Sequence, residues 1–293
     1  MSALKLFVSA LSLLCCLVAP FAEAVDSLST GKGSFIFRDE AGRPEKPITV
    51  WYYRPAALKP TTQVIFVMHG VQRNGEEYRD RWVRHAEKHD FLLVVPEFSE
   101  QFFPKDEYQF GNVTDPKVNR WSFSVIEHLF DALRSSESLK TEKYSIYGHS
   151  AGAQFVHRYM LFMPSPRVEV AVSANAGSYT MPTYPSSSQS VFPWSLDKNI
   201  VNEDRLKSVF ARRLIVMLGE DDTDQNHRNL PKAPQAMAQG KHRLERGRNF
   251  HQVGQDQAAV LKAPFNWELV TVQGVAHSDT GMARAAIKRL FEN

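Results

Sequence analysis

Cysteine is almost absent from this chain of 293 residues, which contains only Cys15 and Cys16. Both lie in an apolar segment at the N-terminus, so the rest of the chain cannot form a disulfide bond. Its stability must therefore come from a large hydrophobic core. An apolar content of 43% over this length is enough for one large α/β domain, and the sequence has no internal repeat or long low-complexity tract.

A strong excess of one charge is also lacking, because the formal net charge is only +3. Basic and acidic residues are mostly interleaved, so we predict no nucleic-acid partner. The exception is segment 227–251, in which Glu245 is the only acid among many basic residues. We interpret this basic segment as a solvated loop and helix face, with an anion-binding surface as the alternative.

A hydrophobic run long enough to cross a membrane is missing as well. The apolar stretch from Leu6 to Val18 is shorter than the roughly 20 residues that a spanning helix needs. Pro20 and the small residues of Ala22-Glu23-Ala24 follow it, which is the layout of a secretory signal peptide. We therefore expect cleavage to remove residues 1–24. The mature domain, 25–293, is then secreted or periplasmic, without stable membrane insertion.

Strands alternate with helices along the mature chain. The predicted strands are Ser34–Arg38, Ile48–Tyr53, Val64–Met68, Phe91–Val95, Tyr144–Tyr147, Val168–Val172, Leu214–Leu218 and Trp267–Val272. The predicted helices are Tyr78–His89, Ser122–Leu133, Ala151–Phe162 and Asp279–Phe291. The first two strands form an antiparallel hairpin, and the alternation that follows predicts parallel pairing. The expected fold is a three-layer α/β/α sandwich around a mostly parallel eight-stranded sheet.

The pentapeptide Gly148-His149-Ser150-Ala151-Gly152 directly follows the apolar run that ends at Tyr147. A sharp turn from strand to helix would expose the serine hydroxyl, and the flanking glycines would let the two backbones approach. Ligands bind at the carboxyl ends of the strands in such sheets. The pattern therefore predicts that Ser150 is a catalytic nucleophile, which needs a base for its proton and donors for the oxyanion.

The base and its carboxylate partner are predicted at the ends of two later strands. The strand ending at Leu218 runs into an acidic turn, and the strand ending at Val272 is followed by His277. The order serine, acid, histidine suits a catalytic triad in which the carboxylate orients the imidazole. The acids within reach of the strand end are Glu220, Asp221, Asp222 and Asp224.

An oxyanion hole requires two backbone N–H groups that converge near Ser150. One is predicted to come from Ala151, the residue after the nucleophile. The other is predicted to come from Val71, because Gly70 at the end of the first buried strand permits a tight bend. Gln72 is the fallback donor, and Arg73 is expected to brace the loop or line the pocket.

Together these motifs resemble the α/β-hydrolase superfamily, and within it the secreted bacterial esterases of the polyhydroxybutyrate-depolymerase and feruloyl-esterase type. The resemblance rests on His69-Gly70, the pentapeptide 148–152, the turn Gly219–Asp222 and His277. It implies a compact catalytic domain with no metal or organic cofactor. It also implies Asp222 as the acid, with Asp221 and Asp224 as alternatives. The mature chain departs from the family in lacking stabilising disulfides and an appended polymer-binding domain.

The substrate pocket is predicted from the distribution of aromatic residues. The insert after the sixth strand, 178–211, is aromatic-rich and is expected to form a small lid or pocket wall, with a plain structural loop as the alternative. The candidate pocket residues are Gln72, Arg73, Trp121, Tyr179 and Trp194. If the basic segment lines the entrance, its arginines would attract carboxylate-bearing substrates; these are Arg243, Arg246 and Arg248.

The sequence therefore predicts a secreted serine hydrolase that cleaves carboxylic esters through an acyl-enzyme on Ser150, acting on a small-molecule or polymeric ester. A peptidase or amidase using the same triad, or a depolymerase of polyesters or polyamides, is the alternative. A non-catalytic binding protein on the same fold is a third interpretation. Acyl preference and oligomeric state do not follow from the sequence.

Overall fold

The structure is a computed structural model that describes residues 26–185 and 192–291. The predicted signal peptide, both cysteines and the serine-rich part of the insert lie outside these residues. The strands are β1 (Gly31–Phe37), β2 (Ile48–Arg54), β3 (Val64–Met68), β4 (Leu92–Glu97), β5 (Tyr144–His149), β6 (Val168–Ala174), β7 (Leu214–Gly219) and β8 (Trp267–Val272). They form one sheet in the order β1-β2-β4-β3-β5-β6-β7-β8.

Strand β2 pairs antiparallel with both β1 and β4, and every other pairing in the sheet is parallel. This confirms the predicted hairpin and the mostly parallel eight-stranded sheet. Strands β3, β5 and β7 are buried along their whole length. Helices cover both faces of the sheet, which is why these strands read as continuous apolar runs instead of alternating ones.

The helices are α1 (Gly75–His89), α2 (Lys105–Tyr108), α3 (Ser124–Ser136), α4 (Ala151–Phe162), α5 (Glu203–Phe210), α6 (Pro234–Ala238), α7 (Arg243–Val260) and α8 (Asp279–Phe291). Helices α1 and α8 share one apolar cluster with the sheet, and α3, α4, α5 and α7 share the other. The three-layer sandwich is therefore confirmed. No helix in the described part of the chain is long and apolar enough to cross a membrane.

Helix α7 differs from the sequence expectation of a solvated basic segment. Arg243 and Arg246 lie one turn apart in this helix and are buried, with relative exposures of 1% and 0%. Because arginines occupy part of the buried face, the helix has weak apolar periodicity. The charge pattern alone therefore led to the wrong expectation that Arg243 and Arg246 face solvent.

The parallel strands align their carboxyl ends at one edge of the sheet. Met68 at the end of β3 is paired with Gly148 of β5, and Gly219 at the end of β7 is paired with Val272 of β8. The turns after these strands carry the predicted oxyanion loop, the nucleophile, the acid and the base. The topology thus brings four distant segments of sequence to one place.

Candidate active site

The turn from β5 into α4 holds Ser150 in an unusual backbone conformation, with φ 59° and ψ −111°. The turn is possible because of the glycines on either side of it. A Cβ on Gly152 would stand 2.1 Å from the carbonyl oxygen of Met68, and one on Gly148 would stand 2.2 Å from the carbonyl oxygen of Gly152. Both distances are far below any real contact, so only glycine lets the helix approach the strands this closely.

The side chains of Ser150, His277 and Asp222 form a continuous hydrogen-bonded chain. His277 Nε2 lies 3.0 Å from Ser150 Oγ, and His277 Nδ1 lies 2.7 Å from Asp222 Oδ2. Since a carboxylate only accepts, Nδ1 carries the proton and Nε2 can accept from the serine hydroxyl. Asp222 is buried, with its side chain 2% exposed, whereas the histidine is 16% exposed. This arrangement can transfer the serine proton to the imidazole.

The alternative acids lie elsewhere. Asp221 and Asp224 are exposed, and the carboxylate of Asp224 accepts from the backbone N–H of Asn226. Among the described residues, Asp222 is the carboxylate bonded to His277.

Two loops must hold the acid and the base at the correct separation, and Asn175 at the end of β6 links them. Its Oδ1 accepts from the N–H of Gly219 at 2.8 Å, and its Nδ2 donates to the carbonyl of Ala276 at 3.2 Å. The N–H of Asp221 also donates to the carbonyl of Val275. Sequence reasoning missed Asn175, although a polar residue shortly after the apolar run of the sixth strand was an available signal.

The second carboxylate oxygen of Asp222 faces a buried cation. Arg243 Nη1 lies 3.3 Å from Asp222 Oδ1, and both side chains are almost completely buried, at 1% and 2% exposure. Burial lowers the pKa of Arg243, and the Asp222 carboxylate opposes that shift. Arg243 Nη2 also donates to Nδ1 of His227 at 3.1 Å. The expected role of Arg243 in attracting substrate at the entrance is therefore wrong, because its guanidinium is buried and is paired with the carboxylate of Asp222.

Arg246 was also expected at the entrance, and it does not lie there. Its guanidinium is buried and donates to the carbonyls of Gly177 and Gly240. Arg248, two positions later on the helix, is exposed and does not line the cavities beside Ser150 that are described below.

Two buried histidines adjoin the triad and are neutral. His149 packs against His277 with the ring centroids 4.7 Å apart and the rings tilted by 35°, and burial together with that neighbour lowers the pKa of His149 well below its usual value. Burial lowers the pKa of His69 to about 3. Its Nδ1 donates to the Gly70 carbonyl, and its Nε2 accepts from the N–H of Phe98, so this ring pins the loop after β3 to the loop after β4.

The two residues predicted to supply the oxyanion donors line one cavity together with Ser150. Ala151 begins α4, so its N–H is at the positive end of a helix of 12 residues. Val71 is 42% exposed, and it lines both cavities that contain Ser150. Arg73 lies behind this loop with φ 58°, donates to the carbonyl of Phe98, and stacks on Tyr108. It braces the loop, which is one of its two predicted roles, and it does not line these cavities.

Two cavities open beside Ser150. The leaving-side cavity, of about 330 Å³, contains His277, Gln72, Arg81, His227 and Asp279 in its wall. The acyl-side cavity, of about 260 Å³, is lined by Ala151, Gln154, Gly177, Lys105 and Gln109 and does not include His277. Val71, Ser150, Arg228 and Asn229 belong to both. Segment 227–231, between β7 and α6, thus forms the wall that was expected from the insert.

Like Arg73, the three aromatic residues predicted for the pocket line neither cavity. Tyr179 is fully buried and stacks on Phe250 with centroids 4.5 Å apart. Trp121 is 4% exposed and donates to the carbonyl of Asp115, beside a different cavity. Trp194 belongs to the insert, whose described residues Met181, Tyr184 and Phe192 pack against the hydrophobic core. No described residue of the insert lines a cavity that contains Ser150. An aromatic side chain in these segments is therefore not evidence that it faces the substrate.

Asp279, at the start of α8, is a buried acid in the wall of the leaving-side cavity. Burial raises its pKa to about 6, although the hydroxyl of Tyr147 donates to it at 3.0 Å and Arg81 lies nearby. The carboxyl therefore holds its proton more tightly than a solvent-exposed aspartate does.

Comparison with known proteins places this geometry in a family. The chain is 40% identical to poly(aspartic acid) hydrolase-1 from Sphingomonas sp. KT-1, with a TM-score of 0.85 over 90% of this chain and 100% of the other. It is 32% identical to a poly(3-hydroxybutyrate) depolymerase from Bordetella parapertussis, with a TM-score of 0.83 over 90% of both chains.

A more distant structure shares the fold alone. The S-formylglutathione hydrolase from Agrobacterium tumefaciens is 14% identical, with a TM-score of 0.55 over 92% of this chain and 96% of the other. No protein-family model and no curated protein sequence matches the chain. On its two 30–40% identical neighbours, the protein belongs to the α/β-hydrolase family and is a serine hydrolase of the esterase and depolymerase type.

Proposed function

We propose that the protein is an exported carboxylic-ester hydrolase that works through an acyl-enzyme on Ser150. The observation that carries the proposal is the unbroken chain of hydrogen bonds from Ser150 through His277 to Asp222, at 3.0 and 2.7 Å. A serine, a histidine and a buried carboxylate in this order are the parts needed to generate a serine nucleophile at neutral pH.

In the first half of the reaction, Ser150 Oγ attacks the substrate carbonyl while His277 Nε2 takes the hydroxyl proton. Negative charge develops on the carbonyl oxygen, and the N–H groups of Val71 and Ala151 stabilise it. The imidazolium then donates its proton to the leaving oxygen, so the alcohol departs on the side of His277. Asp222 holds the imidazole in the tautomer with its proton on Nδ1 throughout.

In the second half, a water molecule takes the place of the alcohol. His277 removes a proton from this water, the hydroxide attacks the acyl carbon, and the proton returns to Ser150 as the acid leaves. Neutral His149, packed against His277, suits this cycle because it adds no positive charge beside an imidazole that must become cationic.

The triad assignment is tested with Ser150→Ala and Asp222→Asn on para-nitrophenyl esters. Each change should lower kcat/KM by about 10⁴-fold, the size of a lost triad function, and circular dichroism should show that both variants remain folded. A fluorophosphonate probe should label the native protein but not Ser150→Ala. Native protein that neither turns over esters nor takes up the probe would favour the binding-protein interpretation.

A second candidate, the hydrolysis of an acidic polyamide, has a specific observation in its favour. The neighbour with 40% identity is a poly(aspartic acid) hydrolase, and Arg228 lies in both cavities beside Ser150. The amide reaction uses the same triad but demands better protonation of the leaving nitrogen. Matched esters and anilides, together with poly(aspartic acid) and poly(3-hydroxybutyrate) as polymers, distinguish the two functions by product release.

Export is proposed from residues 1–24 and is tested by the N-terminus of protein recovered from a bacterial periplasm or medium. Mature protein that begins at Val25 supports it, whereas an intact Met1 in a soluble cell fraction contradicts it.

A further inference from the structure

We propose that the acyl-side cavity, the 260 Å³ space beside Ser150 that is lined by Lys105, Gln109 and Gln154, is a carboxylate-binding subsite for the acyl part of the substrate. This inference rests on the proposed function and deepens it. It commits the enzyme to esters or amides whose acyl group carries a second, free carboxylate.

The side of the scissile bond follows from the position of the base. His277 must protonate the leaving atom, so the leaving group occupies the cavity that His277 lines. The acyl-side cavity is lined by Ser150 and Ala151 but not by His277. An acyl group whose carbonyl oxygen lies between the N–H groups of Val71 and Ala151 therefore extends into it.

The wall of this cavity supplies hydrogen-bond donors and positive charge. No aspartate or glutamate lines it, and two cations do, Lys105 and Arg228. Within residues 26–185 and 192–291, neither cation is paired with a carboxylate. An anion in the cavity would therefore pair with Lys105 and Arg228, whereas a neutral acyl chain would leave both cations without a carboxylate partner.

Gln154 presents a donor, because its amide orientation is determined by its neighbours. Its Oε1 accepts from Arg158 Nη1 at 3.2 Å and from the hydroxyl of Ser178 at 3.0 Å. The NH₂ group must then lie at the other end of the amide. Gln154 Nε2 is 3.3 Å from where a Cβ on Gly177 would stand, and Gly177 is part of the cavity wall. This N–H donor has no acceptor among the described residues.

Arg158 lies one layer behind the cavity and adds a buried positive charge. It is completely buried, it donates to the carbonyls of Gln109 and Gln154, and its Nη2 has no partner. Burial lowers its pKa to about 9, so it stays charged at neutral pH. No carboxylate of the described residues pairs with it. A buried guanidinium without a counter-ion is costly, and a carboxylate bound in front of it would relieve that cost.

The test compares two esters with the same acyl chain, the para-nitrophenyl monoester of adipic acid and the same compound with its free carboxylate converted to a methyl ester. The selectivity ratio is kcat/KM for the free acid divided by kcat/KM for the capped ester. We expect a wild-type ratio of about ten, the size of one charge-assisted hydrogen bond near 1.4 kcal/mol. The ratio should fall as salt is added, since the two cations are exposed.

Gln154→Glu is the decisive variant because it is isosteric. The new carboxylate keeps an acceptor for Arg158 but places a negative charge in the cavity, so the ratio should fall at least about tenfold. Lys105→Met should lower it about two- to fivefold, as for an exposed ion pair. Arg248→Met, an exposed cation outside both cavities, is the matched control and should leave the ratio unchanged.

Two results would overturn the subsite. One is a wild-type ratio at or below one; the other is a ratio that neither Gln154→Glu nor Lys105→Met alters. If Gln154→Glu does not fold, as judged by its melting curve, Lys105→Met decides alone. A second substrate has para-hydroxybenzoate as its leaving group, bonded to the acyl group through the phenol oxygen, so its free carboxylate is on the leaving side. Gln154→Glu should not change kcat/KM for this ester. A change would mean that the carboxylate of the leaving group, and not that of the acyl group, lies beside Gln154.

The Ser150→Ala variant separates the two proposals. If it abolishes turnover of both esters while the wild-type ratio is one, only the subsite fails. If it retains turnover of both esters, the proposed function fails.

Discussion

Arg243→Met tests whether the buried cation behind Asp222 holds the triad acid. Methionine keeps the length and apolar stem of the arginine but removes its charge, so it leaves Asp222 buried with one oxygen unbonded. Arg243 and Asp222 are 3.3 Å apart, and both are shielded from water. The substitution therefore isolates an electrostatic contact with little change in packing.

The magnitude follows from the geometry. Two unit charges 3.3 Å apart attract by about 5 kcal/mol at an effective dielectric constant of 20. Part of that attraction offsets desolvation, and breaking a buried pair typically costs 3–5 kcal/mol. We expect the free energy of unfolding to fall by about 3–5 kcal/mol. Because Asp222 also orients His277, kcat/KM should fall by about 10- to 100-fold, as for a displaced catalytic group.

The assay is a double-mutant cycle on urea unfolding with Arg243→Met, Asp222→Asn and their combination. The coupling energy should exceed about 2 kcal/mol, because the double variant leaves neither charge buried alone. Arg246→Met is the matched control, since Arg246 is buried one turn further along α7 but bonds only carbonyl oxygens and a sulfur. Its coupling with Asp222→Asn should stay within about 0.5 kcal/mol. Equal coupling for the two arginines would refute the reasoning.

The remaining predictions concern the elbow and pH. Gly152→Ala should lower kcat/KM by at least about 100-fold through displacement of the nucleophile, with folded protein still visible by circular dichroism; wild-type turnover would contradict the close approach. Burial lowers the pKa values of His69, His149 and His157 in the folded protein. Below pH 6.5 the unfolded chain therefore binds more protons than the folded protein does. The free energy of unfolding measured in urea should fall as pH drops, by about 1.4 kcal/mol per pH unit for each histidine. Asp279, with its pKa raised to about 6, has the opposite effect. As pH falls, the folded protein binds a proton at Asp279 before the unfolded chain does, so the buried carboxylate destabilises the protein above pH 6. Asp279→Asn should therefore raise the free energy of unfolding at pH 8 by about 2–3 kcal/mol and have little effect on it at pH 3. A stability gain at pH 3 as large as that at pH 8 would contradict this assignment.

The strands could be predicted from sequence because their burial leaves a clear pattern. Val64–Met68, buried on both faces, is an unbroken apolar run, whereas Trp267–Val272 at the edge of the sheet mixes apolar and polar residues, and its exposure alternates along the strand. Both were predicted with the bounds that the structure gives them. Helix ends were less well predicted: α1 begins at Gly75, three residues before the expected Tyr78. Its first turn is mostly polar, so apolar periodicity does not mark it.

The pocket could not be predicted, because composition does not say which way a side chain faces. Tyr179 looked suited to a substrate, but its ring packs on Phe250 in the core. Arg243 looked solvated, but it is neutralised within the fold by an acid that is 21 residues away in sequence. Arg228, in the same basic segment, does line both cavities. Identical residue types were thus divided between core and cavity by tertiary contacts.

The sequence by itself determined the chemistry that this chain can support. Gly148 and Gly152 allow the helix to approach the strand closely around Ser150, and local patterns put a serine, acids and a histidine after apolar strands. Only the tertiary structure decided which acid meets His277, what lies behind it and which cations face the substrate. The physical reason is the distance along the chain over which each interaction acts. Strands and turns depend on residues that are neighbours in sequence. A hydrogen bond between Asp222 and His277, or an unpaired charge beside a cavity, depends on segments that meet only when the sheet has formed.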